Sequence, residues 1–149
     1  MKIGINAFEN GKRIPVRFTC DGDDISPEIH VSGIPEGKHY MIIMNDPDAP
    51  VGLFTHWIIY NIPASVNILH EDIDKNSITE DGFYQGKNDF GKTGYGGPCP
   101  PKGNGPHRYF FNLYVQDKRI DRDKISVAEA YNTVKNKEKT TYMGVYERL

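Results

Sequence analysis

The sequence predicts an all-β fold, a small sandwich with one or two short peripheral helices. Three observations predict it. Apolar residues fall in short, strand-like runs rich in β-branched and aromatic side chains, turn residues separate those runs, and only one stretch carries a full helix signature. At 149 residues the chain has the size of one domain, taken as residues 1–149. It is long enough to bury a core without staples.

Residues 14–19 alternate apolar and polar, and so do residues 28–31. Residues 40–45 form an apolar run that stops before a proline. Residues 54–62 form a second strong run, and residues 107–116 a third in which His107, Tyr109, Phe111, Leu113 and Val115 share one face. Residues 140–147 read as a last strand. Asp21-Gly22, Gly33-Ile34-Pro35-Glu36-Gly37, Asp46-Pro47 and Ile62-Pro63 punctuate these runs as turns. Ser126 with Glu129 three residues later makes a capping box, and Val127, Ala130, Tyr131 and Val134 then fall on one helix face. Lys135, Lys137 and Lys139 suit the negative end of that helix. A weaker helical pattern lies within residues 64–73.

Charge and composition exclude several functions. A net charge of −2 gives no bulk attraction to nucleic acid or to an anionic membrane, so any bound anion must be held by placed donors. No run approaches the ~20 apolar residues of a membrane span. The first residues lack the apolar stretch of a signal peptide, which points to the cytoplasm. Cys20 and Cys99 belong to no CxxC pair, and two reduced thiols fit that location.

The motifs are informative mainly where they meet. Gly86-Lys87-Asn88-Asp89-Phe90-Gly91-Lys92-Thr93 matches the phosphate-loop pattern, but the mechanism needs a following helix. Gly94-Tyr95-Gly96-Gly97-Pro98-Cys99-Pro100-Pro101 cannot supply one. The acidic turn Asp21-Gly22-Asp23-Asp24 lacks the ligand spacing of a calcium loop. Asp46-Pro47-Asp48-Ala49-Pro50 makes a stiff polar corner, with Asp46 continuing the apolar face of Tyr40, Ile42 and Met44. His56 shares a face with Ile58, Tyr60 and Ile62 if the pleat is regular, and His107 begins the face of Tyr109. Residues 86–106 hold seven of the 15 glycines and four of the 10 prolines, the composition of a long structured loop with exposed amides. Three polar strand ends beside that loop can converge on one anion. Asp46, His56, His107 and Cys99 also have the chemistry of zinc ligands, but no ligand spacing supports a metal site. No serine stands in a nucleophile motif.

The chain resembles the phosphatidylethanolamine-binding proteins, also called Raf kinase inhibitor-like proteins. The resemblance rests on Ser26-Pro27, Asp46-Pro47-Asp48-Ala49-Pro50, Thr55-His56-Trp57, the Gly94-to-Pro101 segment and Gly105-Pro106-His107-Arg108-Tyr109. It implies a Greek-key β-sandwich of the shorter bacterial and archaeal branch, whose members often form homodimers. It also implies a pocket for a small anionic ligand, either phosphate or a phospholipid head group. By position Asp46, Asp48, Pro50, His56, Gly97, Pro98, His107 and Tyr109 resemble the pocket residues, with no catalytic residue, metal or cofactor. The implied role is regulation or inhibition of a kinase or serine protease. The alternative is a small hydrolase or isomerase using a pocket histidine as general base. Histidine donors would favour binding below about pH 6.5, where free imidazole is charged.

Overall fold

The computed structural model describes residues 1–149. In chain order its elements are β1 (Lys2–Gly4), a 3-10 turn (Val16–Phe18), β2 (Ile29–Ser32), β3 (His39–Ala49), β4 (Gly52–Pro63), β5 (Ile68–Leu69), β6 (Tyr84–Gln85), β7 (His107–Gln116), α1 (Val127–Thr133) and β8 (Thr140–Tyr146). A three-stranded sheet in the order β1-β2-β5 faces a five-stranded sheet in the order β6-β4-β3-β7-β8. The long connection after β6 carries the chain past the β3–β4 hairpin to the far side of β3, as a Greek-key return does. The all-β sandwich with a short helix is therefore the observed architecture.

The run at residues 40–44 is continuously apolar because both its faces are covered. Tyr40, Ile42 and Met44 point between the sheets and join Ile29, Val31 and Leu69 of the smaller sheet in the main core. Met41 and Ile43 point the other way, with Ile58 and Tyr60, and are covered by Ile125, Ala130 and Val134. Each such side chain contributes about 1.5–3 kcal/mol on burial. The helix is anchored as expected: Ser126 Oγ accepts the Glu129 N–H, and the Glu129 carboxylate accepts the Ser126 N–H. The lysines assigned to its end lie beyond Thr133, and Lys137 pairs with Asp117 at 2.5 Å.

Four expectations are corrected. Residues 14–19 are not a strand, since Pro15 precedes the 3-10 turn and the Phe18 N–H donates to its carbonyl at 3.1 Å. Residues 64–73 are not helical: β5 pairs with β2 there, and Asp72 has φ 61°. Asp46-Pro47-Asp48 is not a turn but the last part of β3. Proline is tolerated because the β7 ladder ends at Asn45↔Phe110 and the β4 register shifts between Asp46 and Ala49. The chain reverses at Pro50-Val51, with Gly52 at φ 100°. Finally, Cys20 and Cys99 are not free thiols. They form a disulfide across 79 residues, because the Cys20 N–H donates to the Pro98 carbonyl at 3.1 Å and brings the two segments together.

The outer edge of β8 is covered. The Gly11 N–H donates to Met143 O at 2.7 Å, the Ile14 N–H to Val145 O at 2.8 Å, and the Val145 N–H to Lys12 O at 2.9 Å. The opposite edge, β6, is two residues long. No helix is long and apolar enough to cross a membrane.

Candidate anion site at the end of the large sheet

Because β3 runs antiparallel to both β4 and β7, the end of β3 meets the starts of the other two. Asp46, His56, His107 and Tyr109 come together there at the base of a cavity of about 220 Å³. Its walls are Pro50, Val51 and Phe54 from the β3–β4 hairpin and Phe90, Pro100 and Pro101 from the glycine-proline loop.

His56 reaches the cavity through a bulge. The β3–β4 register steps from Met44↔Trp57 to Asn45↔Thr55, so His56 is the extra residue. The regular pleat that would place it with Ile58 and Tyr60 is broken, and those two lie on the opposite face of the sheet. The His56 Nδ1–H donates to the Gly96 carbonyl at 2.7 Å. Phe54, Phe90 and Tyr109 surround the ring edge-on at centroid distances of 5.0, 5.2 and 5.2 Å. Burial pushes the His56 pKa down, partly offset by the Gly96 bond and by Asp46. With Nδ1 carrying the proton, Nε2 is a lone pair. It has no protein partner and is not among the sealed unpartnered atoms, so it looks into the cavity.

His107 and Asp46 form a buried pair, Nδ1 to Oδ2 2.7 Å. The other His107 nitrogen lies 2.6 Å from Asn104 Oδ1. Neither ring nitrogen is therefore left free toward the cavity. Asp46 Oδ1 accepts the Asp48 N–H at 2.7 Å. Both carboxylate oxygens and both ring nitrogens of the pair are therefore occupied.

Tyr109 is fully buried, and its hydroxyl is the one buried side-chain polar atom of the chain with no partner. Burial first, and Asp46 next, hold this phenol far above its usual pKa, so it stays a donor. The hydroxyl oxygen itself is sealed from solvent, beside the Asp46 carboxylate.

Asp48, Gly97 and Pro98 do not line the cavity. Asp48 grips the Arg108 guanidinium with both oxygens at 2.8 Å, and this fork holds its carboxyl down at about 2. The Gly97 N–H donates to Asp24 Oδ1 at 2.7 Å on the far side of the loop. The loop wall sits two residues later, at Pro100 and Pro101. Prolines have no N–H, so these two positions supply none of the expected amide donors. Phe54, Phe90, Asn104 and Cys99 were not singled out as pocket residues. Asn104 carried the best signal, a polar residue three positions before His107 in a glycine-flanked turn.

The phosphate-loop pattern is a tight hairpin bridged at Lys87↔Thr93. The Phe90 and Lys92 amides already donate to Asn88 Oδ1, and no helix follows. Cys99, bonded to Cys20, is not a thiolate ligand for zinc.

A family model described as "Phosphatidylethanolamine-binding protein" matches residues 4–147. A relative in Aquifex aeolicus, named UPF0098 protein, is 53% identical over 116 residues, covering 77% of this chain and 67% of its own length. The crystal structure of Escherichia coli YbcL, described as a member of the mammalian PEBP family, superposes with a TM-score of 0.89 at 32% identity. That match covers 99% of this chain and 98% of that one. A carboxypeptidase Y inhibitor solved with its cognate proteinase shares the fold at a TM-score of 0.52 and 19% identity, covering 93% of this chain and 76% of the inhibitor.

Proposed function

Because the chain belongs to the phosphatidylethanolamine-binding protein family, we propose that it acts by binding rather than catalysis, and that the cavity beside Asp46 holds a phosphoryl or carboxylate group. The observation that carries this reading is the apolar-walled cavity that gathers Asp46, His56, His107 and Tyr109 from three strand ends. Calorimetry with inorganic phosphate tests it. His107→Ala, which breaks the buried pair with Asp46 beneath the cavity, should weaken binding by about tenfold. Unchanged phosphate affinity in a folded His107→Ala variant, or no binding by the native protein, rejects the site.

The bound head group would couple the chain to a regulated target, a kinase or serine protease. A dose-dependent loss of serine protease activity with the pure protein, or of kinase activity, supports that role; full activity at saturating protein rejects it. An assembly of two copies, expected from the short branch, is read by sedimentation. The cytoplasm is the proposed location, on the condition the disulfide sets: such bonds persist in the cytosol chiefly in hyperthermophiles. Thiol alkylation in intact cells decides between bonded and free cysteines. One observation favours a second reading, since the His56 Nε2 lone pair can accept a proton from a substrate. Turnover of small phosphate esters or carbonyl compounds abolished by His56→Ala would select it.

A further inference from the structure

We infer that the Cys20–Cys99 bond is a thiol-exchange site: a protein dithiol of the CxxC type reduces it by attack on Cys20, Cys99 is the leaving sulfur, and the loop wall at Pro100 and Pro101 is freed. The inference starts from what holds that wall. Before it, the loop is tied by the Gly97 N–H to Asp24 Oδ1 at 2.7 Å and by the Cys20 N–H to the Pro98 carbonyl at 3.1 Å. After it, the Gly103 N–H donates to the Arg148 carbonyl at 2.9 Å. Between these points no backbone hydrogen bond joins residues 99–102 to the sandwich. Pro100 and Pro101 have no N–H, and the Pro101 carbonyl accepts the Asn104 N–H within the loop itself. The disulfide stands in their place as the covalent tie of the stretch.

The two sulfurs are not equivalent. Cys20 is exposed and Cys99 half-buried, and which sulfur is attacked follows access. Both residues line a second cavity of about 320 Å³, across the loop from the anion cavity, and Lys75 and Lys92 line it with them. An incoming thiolate therefore meets cations there. Asp24, also in that lining, accepts the Gly97 N–H and lies 3.7 Å from Lys75 Nζ. On the other side, Arg148 Nη1 lies 3.7 Å from Cys99 Sγ. Asp21 orients that guanidinium, accepting from Arg148 Nε at 3.1 Å and from the Tyr146 hydroxyl at 2.6 Å. Asp21 is next to Cys20 in the chain, and its charge is matched by Arg148. A cation beside Cys99 stabilises the negative charge that grows there as the bond breaks, and a sulfur that carries charge better leaves faster.

The exchange runs in two displacements. A thiolate of the dithiol attacks Cys20 Sγ, the Cys20–Cys99 bond breaks, and its electron pair leaves on Cys99 beside Arg148. The second sulfur of the dithiol, having lost its proton, then displaces Cys20 from the mixed disulfide. This chain gains two electrons and two protons as two thiols, and the partner loses the same as its own disulfide. Residues 99–102 are then held only by their flanking bonds, and the exposed Lys102 becomes accessible on a loosened segment.

The probe is thioredoxin whose second active-site cysteine is replaced by serine, which stops the reaction at the mixed disulfide. Mixed with the folded native protein and then alkylated, it should be found by peptide mapping on Cys20, with the alkyl label on Cys99. A complex on Cys99, or none without denaturant, would overturn the inference. With intact thioredoxin, Arg148→Gln should slow reduction by about threefold, and Arg148→Lys should restore most of the rate; an unchanged rate in Arg148→Gln would remove Arg148 from the exchange. Trypsin should cut the reduced protein after Lys102 at least tenfold faster than the bonded protein, ahead of its other lysines. Equal rates, or the same acceleration at every lysine, would show that the bond does not hold the wall. Phosphate takes no part in these measurements, so their failure leaves the anion site standing on its own test.

Discussion

Removing the disulfide should cost this protein more than any surface change. The bond joins Cys20 to Cys99, 79 residues apart, so breaking it releases more than half the chain from a closed loop. The chain-entropy relation for a loop of this size gives about 4.5 kcal/mol at 25 °C, and measured bonds usually deliver about 2–4 kcal/mol. Substituting both cysteines by alanine sacrifices little packing, because Cys20 is exposed and Cys99 only half-buried. The perturbation therefore reads mainly the unfolded state. Guanidinium melts of the native protein, the Cys20→Ala/Cys99→Ala variant and the reduced native protein should place the last two together, about 2–4 kcal/mol below the first. The slope of free energy against denaturant should rise in both, since an unlinked chain exposes more surface. A loss under 1 kcal/mol would refute the entropic argument and mean that the denatured chain stays compact without the bond. Cys99 also borders the cavity, so phosphate affinity measured on the same samples reports whether the bond shapes the loop wall.

Three further outcomes are expected. Asp48, held down at about 2 by Arg108, stabilises the fold above its unfolded value of 3.8 and loses that contribution as pH falls through about 2. The raw shift is worth roughly 2.4 kcal/mol, and the half-exposed guanidinium reduces it to about 1 kcal/mol, so Asp48→Asn should cost that amount at pH 7 in a denaturant melt and flatten the acid limb of stability. His56 behaves oppositely to a partnered histidine: its folded pKa is pushed down by burial, so the unfolded chain takes the proton first. Stability should be full above about pH 6.5 and decline as pH drops below it, a slope absent in His56→Gln; an unchanged slope would mean His56 is not desolvated. Gly97→Ala places a methyl 2.3 Å from the Phe18 carbonyl and 2.6 Å from Asp24 Oδ1, where the backbone oxygen cannot yield. It should cost about 3 kcal/mol, and a thermal midpoint within a degree or two of native would contradict the packing of the loop on residues 18–24.

Much of this was legible in the chain, for reasons tied to particular residues. β7 was read at its true bounds because the aromatic-rich run from His107 to Gln116 holds no glycine or proline and its Tyr109, Phe111 and Leu113 share one core face. The helix start was legible because Ser126 and Glu129 act on each other within one turn. His56 was read onto the wrong face because period-two reasoning assumes a regular pleat, and the bulge that turns it depends on the β3 partner. The Asp46-Pro47 corner was misread because proline's exclusion from ladders holds only where an N–H is wanted, and β3 has already left its β7 partner there. The pocket histidines and Tyr109 were within reach of local pattern. The half-turn of loop that brings Pro100 and Pro101 to the wall, rather than Gly97 and Pro98, is fixed by the Cys20 segment far away in sequence.

The strip of residues 10–14 laid along β8 has a consequence for handling the protein. With β6 only two residues long, β8 is the one extended border of the large sheet, and this strip occupies its outward amides and carbonyls. Loosening that strip, as Gly11→Pro does by removing the N–H that donates to Met143 O, would uncover part of Thr140–Tyr146 as a template for a second strand. Such a preparation should therefore clump, showing growing light scatter and thioflavin signal, before its core shows any sign of melting.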